Sequence, residues 1–114
     1  MKYMLLMYAN PNETKAMAAS DRDIIARKHE ALVARLTESG ELLNGAGLDY
    51  PWNTFTIRWN QGDPLRTDGP FTDAEEQLTA YYVVDCVSAE RAVELAREIV
   101  DFHVTAIEVR PIHT

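Results

Sequence analysis

Apolar residues along the chain form short runs typical of strands and longer periodic stretches typical of helices. Lys2 to Tyr8 is a nearly continuous apolar run that ends at Asn10-Pro11-Asn12, which predicts a strand covered on both faces. Ser20 begins a segment that resembles a capping box, and Gly40 supplies a left-handed C-cap. The first helix is therefore predicted between these two residues.

This first helix is predicted to have one apolar face. Ile25, Leu32 and Leu36 fall within about 60° of one another when successive residues are placed about 100° apart. His29 lies in the middle of the same face. We therefore expect its imidazole on the buried side of the helix, where it needs a hydrogen-bond partner or stays neutral.

The middle of the chain predicts a short strand followed by a hairpin. Glu41 to Asn44 is typical of a second strand, which ends where Gly45 and Gly47 allow sharp turning or close backbone approach. Thr54 to Trp59 alternates strictly between apolar and polar residues, and Leu65 to Thr67 returns after a turn. These two runs predict an antiparallel hairpin.

The last part of the chain predicts a loop, a strand, a helix and a final strand. Asp68-Gly69-Pro70-Phe71 joins turn-forming residues to a carboxylate and an aromatic ring, and we expect a functional loop there. Thr79 to Asp85 is rich in aromatic and β-branched residues and predicts a central strand. Helical spacing predicts a second helix from Ala89 to Asp101, and a last strand runs from Thr105 to Arg110.

This order of elements predicts an α+β fold, the ferredoxin-like β-α-β-β-α-β arrangement with an extra hairpin inserted in its middle. Two amphipathic helices cover only one face of a four-stranded sheet, whereas the first strand and the Thr79 to Asp85 strand offer apolar residues to both faces. A homodimer whose two sheets pack face to face would cover the second face and close a barrel-like core around a cavity. We therefore predict a homodimer.

Composition narrows the range of partners. A chain of 114 residues, 46% hydrophobic and 25% charged, is typical of one globular domain, here residues 1–114. The formal net charge of −7 disfavours nucleic acid and anionic membrane surfaces as partners. The apolar start is too short for a membrane helix, and its polar flank does not fit a signal peptide. Cys86 is the single cysteine and cannot form an intramolecular disulfide, so we expect a cytoplasmic protein.

Several segments in order form a recognisable pattern: Met1-Lys2-Tyr3-Met4-Leu5-Leu6, Gly45-x-Gly47-Leu48, Asp68-Gly69-Pro70-Phe71, Glu76-Gln77-Leu78 and Ile107-Glu108-Val109-Arg110-Pro111. Together they resemble the YCII-related, or DGPF-domain, family over nearly the whole chain. The resemblance implies a dimeric α/β barrel related to ferredoxin-like proteins. It also suggests a His–Asp pair as the active centre, at His29 and Asp68 here. Glu75 stands where the family pattern has a lysine.

The proposed pair has a clear chemical meaning and a structural alternative. A carboxylate such as Asp68 close to His29 would fix one imidazole tautomer and leave the other ring nitrogen as a general acid or base. Alternatively, His29 is a core residue bonded to a backbone carbonyl, and Asp68 accepts amide hydrogen bonds in its own turn. The sequence leaves both interpretations open.

Further positions are candidates for ligand binding. Glycines allow a polar ligand group to reach backbone amides, and an arginine can pair with an acidic ligand. Of two consecutive tyrosines in a strand, one should face an interior cavity. The candidates are Gly45, Gly47, Arg58, Phe71, Tyr81 and Tyr82. No cofactor and no metal are predicted, because a Gly-x-Gly pair alone is not a dinucleotide motif and His103 and His113 lack metal-ligand spacing.

The sequence therefore predicts a homodimer that binds a small organic ligand, and it leaves open whether the protein is an enzyme. Proton transfer or isomerisation would fit better than hydrolysis, because no serine nucleophile motif and no metal cluster are visible. The alternative is a non-catalytic ligand-sensing or accessory module associated with transcription regulation. The resemblance suggests that role, because related domains occur beside sigma-factor regulators.

Overall fold

The computed structural model describes residues 1–113 of the chain. Its elements, in order, are β1 (Lys2–Ala9), α1 (Pro11–Ala16), α2 (Ala19–Glu38), β2 (Leu42–Gly47), a short 3₁₀ helix (Pro51–Asn53), β3 (Phe55–Asn60), β4 (Asp63–Asp68), β5 (Gln77–Asp85), α3 (Ala89–Ile99) and β6 (Ala106–Pro111). The predicted strands, the two long helices and the inserted hairpin are all present.

The strands form two antiparallel sheets. The larger sheet has the strand order β2-β5-β1-β6, and the smaller one is the β3–β4 hairpin. All neighbouring strands in both sheets run antiparallel. The protein is therefore a mixed α+β fold, compatible with the predicted ferredoxin-like arrangement and its inserted hairpin.

One helix boundary predicted near the start of the chain was wrong, and one short helix was not predicted. The long helix begins at Ala19 after Ala18, which provides no side-chain cap, so Ser20 is not the N-cap. A short helix, α1, was missed because Asn10 and Pro11 were interpreted only as the end of a strand. The Asn10 side chain in fact caps α1 by accepting hydrogen bonds from its first backbone amides, and proline fits the first helical position.

The second strand is longer than predicted, because its glycines pair instead of turning. Gly45 lies opposite Tyr82 and Gly47 opposite Ala80 in the antiparallel register. The predicted end at Asn44 was therefore wrong. A glycine that permits a turn also permits close packing against a neighbouring side chain, and the sequence alone does not distinguish these uses.

The hydrophobic core lies between α2, α3 and one face of the larger sheet. Alternate residues of β1 are buried there, and Leu32 and Leu36 of α2 pack against them as predicted. The free Cys86 is also buried. The core residues are Tyr3, Leu5, Met7, Leu32, Leu36, Tyr82, Val84, Cys86, Ala92, Leu95, Ile99 and Phe102.

The opposite face of the larger sheet carries no helix. We call it the open sheet face and define it by Met4, Leu6, Tyr8, Tyr81 and Val83, which are all partly exposed. The chain measures 47 × 40 × 18 Å, so it is thin in one direction. That thickness is what one layer of helices on one sheet provides.

The β3–β4 hairpin forms a projecting arm. Phe55, Ile57 and Trp59 line one of its sides, as the alternation predicted, but they are 59%, 62% and 78% exposed. The radius of gyration is 15.8 Å, whereas a compact chain of this length has about 13 Å. The arm therefore presents an apolar surface away from the core. Among residues 1–113, no helix has the length and apolar character needed to cross a membrane.

Candidate small-molecule site

His29 and Tyr82 form a direct polar contact between helix and sheet. The Nδ1 atom of His29 and the Oη atom of Tyr82 are hydrogen-bonded at 2.5 Å. The helical period places His29 on the inner face of α2, and strand alternation turns Tyr82 toward α2 and Tyr81 toward the open sheet face. Phe102 packs edge-on against the imidazole, with ring centroids 4.8 Å apart.

Gly45 allows the Tyr82 ring to lie close to strand β2. A Cβ atom at position 45 would stand 2.7 Å from Cδ1 of Tyr82, closer than real carbon atoms approach. Gly47, two residues further along, has no atom within 4 Å of the corresponding position. The absence of a side chain at Gly45 leaves space for the Tyr82 ring beside strand β2. This explains why a glycine occupies position 45.

A cleft of about 290 Å³ opens beside the histidine. We call it the His29 cleft; its lining residues are His29, Val33, Gly45, Ala46, Gly47, Ala80, Tyr81 and Tyr82. Five predicted site residues meet here: His29, Gly45, Gly47, Tyr81 and Tyr82. No Asp, Glu, Lys or Arg lines this cleft. The lining is thus mostly small and apolar, and its polar side-chain groups next to α2 are the His29 imidazole and the Tyr82 hydroxyl.

Burial keeps both members of the polar pair uncharged near neutral pH. Desolvation lowers the pKa of His29 below its ordinary value of 6.5. Desolvation also raises the pKa of Tyr82 above its ordinary value of 10.0. A neutral imidazole carries one donor and one acceptor nitrogen. Because Nδ1 bonds to Tyr82, Nε2 remains available to accept or donate a proton.

The half-buried neutral histidine predicts a specific pH dependence of stability. The unfolded chain takes up a proton near pH 6.5, whereas folded His29 resists protonation to lower pH. The contribution of His29 is therefore fully present above this pH and is lost as the pH falls through the folded-state pKa. We expect the unfolding free energy, measured by urea titration, to fall more steeply below pH 6.5 in the wild type than in His29→Gln.

The matched control for this experiment is His113→Gln, because His113 is an exposed residue near the chain end. This variant should keep the wild-type pH profile. If His29→Gln also kept the wild-type profile, folded His29 would titrate like an unfolded histidine, and the neutral assignment would be wrong.

The predicted residues of the arm form a separate cluster. Arg58 donates from Nη2 to the carbonyl oxygen of Phe71 at 3.0 Å, and its guanidinium lies 5.0 Å from the Phe71 ring centroid. Gly69 has a φ of 97° and pairs with Thr54 through a 2.7 Å backbone hydrogen bond. These contacts tie the Asp68-Gly69-Pro70-Phe71 segment to β3. Neither Arg58 nor Phe71 lines the His29 cleft.

Asp68 ends strand β4 and lies on the arm. Its side chain is 91% exposed, and Oδ1 lies 3.6 Å from Nη2 of Arg66. Within residues 1–113 of one protomer, His29 is hydrogen-bonded to Tyr82 and has no hydrogen bond to Asp68. The structure thus brings His29 together with the glycines and tyrosines and places Asp68 in the arm. The His29–Asp68 pair stays a prediction.

The sequence reasoning missed one candidate and left the role of another incomplete. Tyr82 was predicted to bind a ligand, but not to be the hydrogen-bond partner of His29. Asp49, directly after Leu48 at the end of β2, lines another cleft of about 280 Å³. Its position after the Gly45-x-Gly47 pair was the available signal. Among residues 1–113, no group of three or more His, Cys, Asp or Glu side chains is arranged to hold a metal ion.

Comparison with known proteins gives two matches over the whole chain. The family model of the YCII-related domain matches residues 1–114. An uncharacterized protein of Rhizobium meliloti (strain 1021) is 30% identical over 114 residues, which cover 98% of this chain and 92% of that relative. The family match agrees with the resemblance found in the sequence.

Proposed function

This chain belongs to the YCII-related domain family, and we propose that it acts as a homodimer that binds a small, largely apolar organic molecule beside His29. The observation that carries the proposal is the 2.5 Å hydrogen bond between His29 and Tyr82 at the wall of an open cleft. A mostly apolar pocket with a few converging polar groups is the usual form of a small-molecule site.

The chemistry that best fits the pair is proton transfer. If His29 donates from Nδ1 to the Tyr82 hydroxyl, its Nε2 lone pair acts as a base toward the ligand. The hydroxyl hydrogen of Tyr82 is then available to a ligand oxygen. This arrangement suits removal of a proton next to a carbonyl group, with the electron pair moving onto the carbonyl oxygen. A neutral histidine near pH 7 is the required form of such a base.

Exchange of α-protons for deuterium tests this chemistry. We expect the wild type to accelerate exchange of the methyl protons of acetophenone in deuterated water, followed by NMR. His29→Gln should slow the catalysed exchange at least about 100-fold, the lower range for loss of an acid–base group. Tyr82→Phe keeps the ring in place and should slow exchange less, because it removes the hydrogen bonds of the hydroxyl group to His29 and to the ligand oxygen but leaves the Nε2 base.

Binding of acetophenone, measured from amide chemical shifts, separates the proposal from its alternative. The catalytic proposal expects His29→Gln to bind the ketone about as well as the wild type while it loses exchange. A ligand-sensing or accessory module would show binding in both proteins and exchange in neither. Its association with transcription regulation and the cytoplasmic location stay predictions.

The homodimer is proposed because one protomer leaves two apolar surfaces uncovered. The open sheet face has no helix over it, and the arm exposes Phe55, Ile57 and Trp59. Soluble proteins rarely expose large contiguous apolar patches. Packing of the two open sheet faces, about 10 Å apart as in other sheet pairs, would cover the first surface and form the predicted dimeric α/β barrel.

A further inference from the structure

A separate cleft lies at the end of strand β2, beyond the His29 cleft. We call it the Asp49 cleft; it has a volume of about 280 Å³. Its walls include the apolar side chains of Ala9, Leu48 and Leu78. Asp49 is the only charged residue among those that line it. The two clefts share no lining residue, although a third cleft of about 310 Å³ is lined by residues of both.

The Asp49 carboxylate is held in place through one of its oxygens. Oδ1 accepts hydrogen bonds from Nδ2 of Asn53 at 3.1 Å and from the backbone N–H of Tyr50 at 2.6 Å. These two bonds, the Asn53 bond first, lower the pKa of Asp49 below its ordinary value of 3.8. The carboxylate is therefore ionised at neutral pH. Oδ2 has no hydrogen-bond partner within residues 1–113 and is free to accept one.

Two other polar side chains of the cleft also offer acceptors. Nε2 of Gln77 donates to the carbonyl oxygens of Thr72 and Ala74, each at 2.8 Å, and Oε1 has no hydrogen-bond partner within residues 1–113. Thr14 donates its hydroxyl hydrogen to the carbonyl oxygen of Asn10 at 3.1 Å. An acceptor-rich cleft with one negative charge is complementary to a positively charged donor.

An aromatic surface completes the site. Tyr50 lines the cleft and stacks on Trp52, with ring centroids 4.5 Å apart and ring planes 15° apart. The ammonium group of Lys15 already lies 5.1 Å from the Trp52 ring centroid. Trp52 and Lys15 are outside the cleft lining, so the Tyr50 ring remains as its aromatic wall. Aromatic faces attract ammonium ions and pack well against flat apolar groups.

We propose that the Asp49 cleft binds an organic ammonium ion that carries a small aromatic or apolar group. The ammonium donates to Oδ2 of Asp49 and Oε1 of Gln77, and the apolar group packs between Tyr50, Leu48 and Leu78. The net charge of −7 further favours a cation over an anion.

Three probes of nearly equal shape test the charge requirement on the wild-type protein: phenethylammonium, phenethyl alcohol and phenylacetate. Binding is followed by amide chemical shifts. We expect saturable shifts for phenethylammonium in residues 48–53 and 77–79, with affinity about tenfold above that of the alcohol and no saturation by the carboxylate. Equal binding of all three probes, or shifts centred on His29 and Tyr82, would overturn the proposal.

The variant Asp49→Asn removes the charge and keeps the shape. It should weaken phenethylammonium binding about tenfold and leave the alcohol unaffected. Asp73→Asn makes the same change in net charge at an exposed residue outside the cleft, and it should bind like the wild type. If both variants bound phenethylammonium equally weakly, the effect would come from the overall charge, and the proposed site would be wrong. If Asp49→Asn fails to fold, the probe comparison on the wild type still decides.

Discussion

Replacing Leu6 by lysine is expected to convert the proposed dimer into a monomer. Leu6 lies on β1, between β5 and β6, and its side chain is on the open sheet face. In a sheet-to-sheet dimer, each copy would bring an ammonium group into the interface, where the Glu108 carboxylate opposite is already paired with Arg110. The dimer dissociation constant should rise at least about 100-fold. Sedimentation equilibrium over a concentration series measures it.

The monomer should tolerate the same change. Leu6 is only partly buried in the single chain, so the new ammonium group can reach water there. The matched control is Val93→Lys, because Val93 is 39% exposed on α3 and lies away from the open sheet face. Val93→Lys should stay dimeric. A Leu6→Lys protein that remained dimeric would show that the two sheet faces do not meet.

Replacing Gly45 by alanine is expected to destabilise the protein and to break the His29–Tyr82 bond. The added Cβ would meet the Tyr82 ring at 2.7 Å, so the ring or strand β2 must shift. Forcing an extra carbon into a packed site costs about 1–3 kcal/mol of unfolding free energy. Urea unfolding measures that cost, and the imidazole NMR signals of His29 report the lost hydrogen bond.

Gly47→Ala is the matched control, because nothing lies within 4 Å of its added Cβ. Both glycines are in the same strand, and neither has a positive φ, so the backbone cost is comparable. Gly47→Ala should unfold at a urea concentration equal to or above that of the wild type. If Gly45→Ala were as stable as Gly47→Ala and kept the His29 NMR signals, the close packing of Gly45 against Tyr82 would not position the tyrosine hydroxyl.

Much of the local structure followed from the sequence because it depends on neighbours within a few residues. The helical period placed His29 on the inner face of α2 with Leu32 and Leu36, and the structure confirms this face. Strand alternation separated Tyr81 from Tyr82. The short helix α1 escaped because a helix of six residues leaves little periodic pattern to detect.

The residues of the candidate site could be predicted from the sequence, but their contacts could not, because these contacts join distant parts of the chain. The partner of His29 is Tyr82, which is 53 residues away along the chain. Helical periodicity and strand alternation each predict the direction of a side chain. They do not predict which strand packs under which turn of a helix. The family resemblance suggested Asp68 as the partner of His29, yet Asp68 ends strand β4 of the arm.

The sequence by itself determined the order of the strands and the two long helices, the faces of α2 and β5, and the set of residues capable of acid–base chemistry. Only the tertiary structure decided that Tyr82 bonds His29, that Gly45 makes room for the tyrosine ring, and that Asp49 lines a cleft of its own. The physical reason is that side-chain direction is set locally by backbone periodicity. Contact between distant residues is set by strand register and by how closely two backbones pack.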